Sequence, residues 1–167
     1  MGGHYAQDAL NGKKANPVQK YVGVAQPMTW PKARAYCQAN FKELASIHDK
    51  ASNDYIAQLC LSNLASLGGV RNGGGACWVG ANDIKTENTM IWSDGTSIDF
   101  SDWHKGEPNN VKSRDVHGVL KEEDVVEYRL VAGGLQGKGA WNDNRDDRMY
   151  PFICEQAPPA PKGGSGH

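Results

Sequence analysis

The chain lacks any apolar run near the ~18 residues that a membrane-spanning helix needs. It also lacks a surplus of one charge: 18 basic residues face 19 acidic ones, for a net charge of −1. Nothing in that balance suggests a nucleic-acid partner or direct membrane insertion. There is no C-x-x-C and no H-x-x-x-H, and His48, His104 and His117 stand isolated, which removes the usual zinc and dithiol-redox spacings. The glycine-rich segments never end in Gly-Lys-Ser/Thr, so a phosphate loop is absent. Met1-Gly2-Gly3-His4 shows no basic stretch leading into an apolar one, as a secretory leader would. The chain is therefore either intracellular or has lost a leader, and its four cysteines favour a secreted or extracellular domain with two disulfides.

What is present suits one domain with much loop: 167 residues, 39% hydrophobic, 20 of them glycine. Residues 1–18 read as a flexible N-terminal segment, 19–156 as the domain, and 157–167 as a Pro/Gly-rich linker and tail of the kind that joins a domain to a larger protein. Within the domain, Tyr21–Val24 predicts a strand. Thr29 and Pro31 predict the start of a helix carrying Ala33, Tyr36, Cys37 and Asn40 on one face. Leu44–Ile47 reads as a short strand. Ser52 is expected to cap a second helix with Ile56, Leu59, Cys60, Leu64 and Leu67 facing inward. After the glycine-rich stretch, Trp78-Val79-Gly80, Ile91–Ser93, the alternation of Val126, Tyr128 and Leu130, and Tyr150–Cys154 predict strands. Two helices followed by strands and long loops indicate an α+β domain. The polar stretch from about Ser101 to Glu122 is long enough to imply a function or a ligand that orders it.

Three groups in or beside that stretch carry the chemistry: Glu107-Pro108-Asn109, Glu123-Asp124 and Trp141-Asn142-Asp143. Each couples a carboxylate to a second oxygen donor, and no histidine or cysteine is among them. Such hard oxygen sets suit calcium, which takes six to eight oxygens. Any one triplet alone is ordinary turn chemistry, since Asn, Asp, Gly and Pro are the common turn residues. The weight lies in their combination and order.

That combination, with Cys37, the Trp78-Val79-Gly80 strand, Trp103 and the closing Cys154-Glu155, resembles the C-type lectin domain over about residues 20–156. The resemblance implies that fold: two helices on small antiparallel sheets, with a long calcium-binding loop region. It implies a principal calcium held by Glu107, Asn109, Glu123, Asn142 and Asp143, with Asp143 giving both side-chain and backbone oxygen. The same five residues are then the sugar-binding residues: two adjacent hydroxyls coordinate the ion, donate to the carboxylates and accept from the amides. The Glu-Pro-Asn form resembles the mannose-type subset, which accepts mannose, glucose, N-acetylglucosamine or fucose. A cis peptide bond before Pro108 is implied. An auxiliary calcium is implied at Asp83, Glu87, Asn110 and Asp124, joined by Glu123, and weakened because Asn110 stands where an acid is more usual.

The four cysteines allow three pairings. The resemblance implies Cys37–Cys154 as the long-range bridge, leaving Cys60–Cys77 to tie the second helix to the Trp78 strand. The family's second disulfide is missing, because Val125 stands at its first position and no cysteine lies between Asp143 and Cys154. The stretch Asn110–Glu122 is also longer than usual. Lys112, Arg114, Asp115 and His117 read as solvated loop charges sooner than as contacts to a larger glycan or a protein, Arg145 to Arg148 as surface ion pairs sooner than as a lining of the sugar site, and Trp92 and Trp103 as core sooner than as a stacking surface for sugar.

The expected function is calcium-dependent binding of glycans or glycoproteins by one module of a larger or multivalent protein. The alternative is a lectin-like domain whose calcium only shapes loops that bind a protein or another non-sugar ligand. A glycosidase would need a carboxyl raised in pKa to act as an acid. A cluster of acids whose motifs hold no basic neighbour is better explained by a cation, so no catalytic residue is assigned and the chain is read as no enzyme.

Overall fold

The structure, a computed structural model, describes residues 20–70, 74–131 and 139–157. The predicted flexible segment 1–18 and all but the first residue of the predicted tail 157–167 lie outside the described residues. The elements are β1 (Tyr21–Met28), α1 (Trp30–Asn40), β2 (Glu43–Leu44), α2 (Lys50–Ser66), β3 (Gly75–Asn82), β4 (Ile91–Trp92), β5 (Ser113–Arg114), β6 (Leu120–Lys121), β7 (Val125–Leu130), β8 (Trp141–Asn144) and β9 (Tyr150–Glu155). This is the expected α+β architecture of two helices and mixed sheets.

The main sheet runs β1-β9-β3-β7-β8, with β2 paired to β9 and β4 to β3. The first and last strands are antiparallel neighbours, Tyr21 opposite Glu155, so the described chain enters and leaves side by side. The bridge Cys37–Cys154 ties α1 to β9 across a sequence separation of 117, and Cys60–Cys77 ties α2 to β3 across 17. Both pairings match the expectation.

Local differences have local reasons. The cap of α2 is Asp49, whose carboxylate accepts the Ser52 N–H at 2.8 Å, not Ser52 itself. Either residue can cap, and the acid wins by holding the donor of the residue that was expected to act. Leu67 lies just past the end of α2 and is 42% exposed, so it does not extend the inward face. β2 stops at Leu44 because the Ala45 carbonyl turns away to accept the Gly80 N–H at 2.9 Å. Gly80 is needed there: a Cβ would meet Ser93 Oγ at 2.5 Å and the carbonyls of Ala45 and Leu44 at 3.1 Å. Thr29 precedes α1 in extended conformation without a side-chain cap, and Pro31 fills the first turn.

The core is tryptophan-rich, and three of its buried indoles donate to acceptors. Trp30 and Trp78 donate to the carbonyls of Val79 and Met28, and Trp141 donates to Asn53 Oδ1, all at 2.9 Å. Trp92 and Trp103 pack edge-on against Trp141 at 5.3 and 5.5 Å, as core residues and not as a sugar platform. This rigid block supports the loops that carry the acids.

Candidate metal and ligand site

Strand alternation positions the site. On β7, Val126 and Tyr128 enter the core; on β8, Trp141 and Asp143 do the same, with Asp143 opposite Val126. Asn142 and Asn144 therefore emerge on the other face, beside Glu127 and Val125. The Trp-Asn-Asp triplet thus splits across the two faces of an edge strand, Asp143 buried at 0% exposure.

The loop between β4 and β5 crosses above Asp143 and is clamped by it. The backbone N–H of Asn109 donates to Asp143 Oδ1 at 3.1 Å, and that of Asn110 to Oδ2 at 2.7 Å. The Glu107–Pro108 bond is cis, as expected. Asn110 takes a φ of 48°, a left-handed conformation that asparagine tolerates better than most residues. Within the triplet, Asn109 Nδ2 donates to Glu107 Oε1 at 3.0 Å, while its own Oδ1 accepts the Val111 N–H at 3.2 Å.

The acids crowd. Burial first, then the neighbouring Asp143 and Glu123 carboxylates, push the Glu107 carboxyl up to about 7. Burial, then Asp143, pushes Glu123 up to about 7 as well. Glu107, Asn109, Glu123 and Asp143 are thus one neighbourhood. Asn142 stands slightly apart: its Nδ2 donates to Glu127 Oε1 at 3.0 Å, and a trigonal amide held by its nitrogen presents its oxygen elsewhere.

A second cluster adjoins the first. Asp83, Glu87 and Asp124 can each place one carboxylate oxygen within 4.8 Å of the others, a group that could hold a metal ion. Burial pushes Asp83 and Asp124 upward, and their acidic neighbours add to it. Asn110 Nδ2 donates to Glu87 Oε1 at 2.6 Å, which brings all four expected residues together. Among the described residues, Glu107 Oε2, Asp83 Oδ1, Asn110 Oδ1 and Asp124 Oδ1 are buried without a hydrogen-bond partner. Buried orphan oxygens among mutually repelling carboxylates fit a hard divalent cation such as calcium.

Sequence reasoning missed several groups. Glu127 is buried, and its two oxygens accept the amides of Asn142 and Asn144, each at 3.0 Å. The signal was a glutamate set among strand-forming residues, on the face opposite Val126 and Tyr128. Arg145 is no surface ion pair. It is 6% exposed, bonds Asp147 at 3.0 Å and Ser113 Oγ at 3.0 Å, and also reaches the Arg114 carbonyl. It thereby pins the β5–β6 hairpin, into which the long polar loop folds, to the end of β8. Outside the acid motifs, Lys112 pairs with Glu122 at 2.8 Å beside Glu87. Arg114 and Asp115 likewise bond within the hairpin: Arg114 donates to the Gly118 carbonyl at 2.7 Å, and Asp115 accepts from His117 and Val119.

Alongside, an open groove of ≈ 380 Å³ is lined by Glu123, Glu127, Arg129, Asn142, Arg148 and Tyr150, among others. No described helix is long and apolar enough to cross a membrane.

Comparison with known proteins agrees with this fold. A lectin from Pleurodeles waltl is 30% identical over 146 residues, covering 86% of this chain and 72% of that protein. A mannose-binding C-type lectin isoform from Notechis scutatus scutatus is 33% identical over 129 residues, 75% of this chain and 69% of its own. The human C-type mannose receptor 2 is 28% identical over 133 residues, which cover 80% of this chain and 7% of the receptor. Among solved structures, the human scavenger receptor C-type lectin carbohydrate-recognition domain superposes with a TM-score of 0.61 at 26% identity, covering 84% of this chain and 93% of the other. A calcium-independent type II antifreeze protein shares the fold, with a TM-score of 0.60 at 24% identity over 84% of this chain and 88% of its own. The Lectin C-type domain family model matches residues 26–156. With that match spanning nearly the whole described domain, the chain belongs to the C-type lectin domain family.

Proposed function

We propose that the chain is a non-enzymatic, calcium-dependent carbohydrate-binding domain of an extracellular protein, and that Glu107, Asn109, Glu123, Asn142 and Asp143 hold the ion and the sugar. The observation that carries the reading is the crowding of Glu107, Glu123 and Asp143 around a buried oxygen without a partner, Glu107 Oε2. Bound calcium supplies positive charge and open coordination positions for a vicinal pair of hydroxyls. The chain's own part is to fix the acceptors and the amides that flank them. The relatives named for mannose favour hydroxyls of the mannose type, on glycans or glycoproteins. A second ion at Asp83, Glu87, Asn110 and Asp124 would stiffen the same loop. The test is retention on mannose-agarose: the chain should bind in calcium and elute with chelator, and retention that ignores chelator would refute the reading.

Protons and the cation compete for these carboxyls. Without the ion, Glu107 and Glu123 are raised in the folded state, so between their ordinary value and about 7 the folded chain binds more protons than the unfolded one. Folded stability therefore declines as pH rises through that window, and calcium cancels the decline by taking the protons' place. Apparent calcium affinity should conversely weaken as pH falls below about 7, approaching ten-fold per pH unit for each proton displaced. Calorimetric titration of calcium at several pH values reads this directly, and a pH-independent affinity would contradict it.

One observation favours a second reading, in which calcium only shapes a surface for a protein or another non-sugar ligand. The β5–β6 hairpin exposes Val116, Val119 and Leu120, Val116 at 91%. On that reading, calcium raises the melting temperature while no monosaccharide competes for the ligand.

A further inference from the structure

The groove beside the sugar site is lined by two kinds of group. Glu123 and Asn142 are shared with the proposed ion and sugar residues, and Arg129, Arg148 and Tyr150 line it as well. Pairing of β7 with β8 creates it. With Val126, Tyr128 and Leu130 in the core, Glu127 and Arg129 emerge on the opposite face, Glu127 level with Asn142 and Arg129 with Ala140, whose carbonyl accepts the Arg129 N–H at 2.8 Å. Gly74, Gly75 and Ala76 line another wall, and their small side chains leave the space open.

With Glu123 given to the ion of the reading above, the charges left around that space are Arg129, Arg148 and Glu127, a balance in favour of the cations. Glu127 spends both oxygens on the Asn142 and Asn144 amides, has Arg129 at 3.7 Å, and is only 4% exposed in its side chain. Arg129 keeps 46% of its side chain exposed despite that contact. Arg148 is exposed and makes no ion pair among the described residues. Glu123 gives its charge to the ion on the reading above. The exposed groups toward the groove are thus two guanidiniums, with the buried Glu127 charge 3.7 Å from Arg129, and their planar forks match the oxygens of a sulfate or a carboxylate.

We propose that Arg129 and Arg148 form an anion subsite, so that this domain takes acidic saccharides. The sulfate or carboxylate is carried by the sugar on the calcium or by the next residue of the glycan. The inference rests on the calcium-dependent sugar reading and narrows its substrate class. A volume of ≈ 380 Å³ accommodates one sugar substituent or residue, at the small end of ligand pockets. Electrostatic pairing at such an open site weakens with salt.

The test compares neutral mannose with monosulfated and uronic-acid forms as competitors for mannose-agarose, using the full chain in calcium. The wild type should prefer at least one anionic form by about ten-fold, equivalent to about 1.4 kcal/mol. The paired change R129Q/R148Q should erase that preference and leave neutral mannose within about two-fold. Preference for sulfated forms alone, or for carboxylated forms alone, identifies the source of the anion. A readout that needs no calcium accompanies it: in chelator, inorganic sulfate at matched ionic strength should shift the Nε–H signals of Arg129 and Arg148 in nitrogen-15 spectra. Equal binding of neutral and anionic sugars by the wild type overturns the subsite while leaving the sugar reading intact. A preference that survives in R129Q/R148Q, or guanidinium signals unmoved by sulfate, also overturns it. If no sugar of any charge binds in calcium, the underlying reading fails, and the subsite with it.

Discussion

Asp143→Asn should lower calcium affinity by about 100-fold or more, since even residues behind the metal ligands change affinity 10- to 100-fold. Two effects act together. The substitution removes one negative charge from the acid cluster. It also places an amide NH₂ where one of two backbone donors, Asn109 N–H at 3.1 Å or Asn110 N–H at 2.7 Å, now finds an oxygen. A donor facing a donor at a fully buried position loosens the loop that carries Glu107 and Asn109, with a loss of about 1.5–3 kcal/mol for the charged hydrogen bond. Thermal melts with and without calcium separate the two effects. Wild type should gain stability with the ion, by about 2.7 kcal/mol at a concentration 100 times the dissociation constant. The variant should begin lower and stay flat. A variant that still gains stability like wild type would remove Asp143 from the ligand set.

Serine at both Cys37 and Cys154 should lower stability by about 4–5 kcal/mol, because the bridge closes a loop with a sequence separation of 117 in the unfolded chain. Both sulfurs are buried in the smaller core cluster, among Trp30, Trp78, Val125 and Phe152, so the removal also disturbs packing. The pair Cys60 and Cys77, separated by 17, should matter less, at about 3 kcal/mol. Urea unfolding of the two double variants ranks them. Equal losses would show that native packing, not loop length, governs both.

The sequence was most legible where side-chain chemistry is local and periodic. The inward alternation of Val126, Tyr128 and Leu130 and the Trp-Val-Gly strand lie where expected, while the cis bond before Pro108 was legible through resemblance. The two bridges were legible through resemblance alone, since four cysteines permit other pairings. Arg145 was opaque, because its partners Ser113 and Arg114 lie about thirty residues upstream and meet it only once the hairpin folds. Glu127 was hidden for a similar reason: only the β7–β8 register brings Asn142 and Asn144 to its oxygens. At the first position of the family's missing second disulfide, Val125 is packed in the core. The buried Arg145, through Ser113 and Arg114, holds the hairpin against β8 without a covalent bond.

The pairing of Tyr21 with Glu155 sets how the module can be mounted. β9 starts at Tyr150, on the wall of the groove, and ends at Glu155, about 17 Å away at the usual strand rise. Polypeptide joined before Tyr21 or after Glu155 therefore attaches at one corner, remote from the ligand face. Such a pendant can be hung along a stalk or packed into a cluster with every binding surface pointing outward, and its neighbours need not touch the loops for many weak grips to act at once.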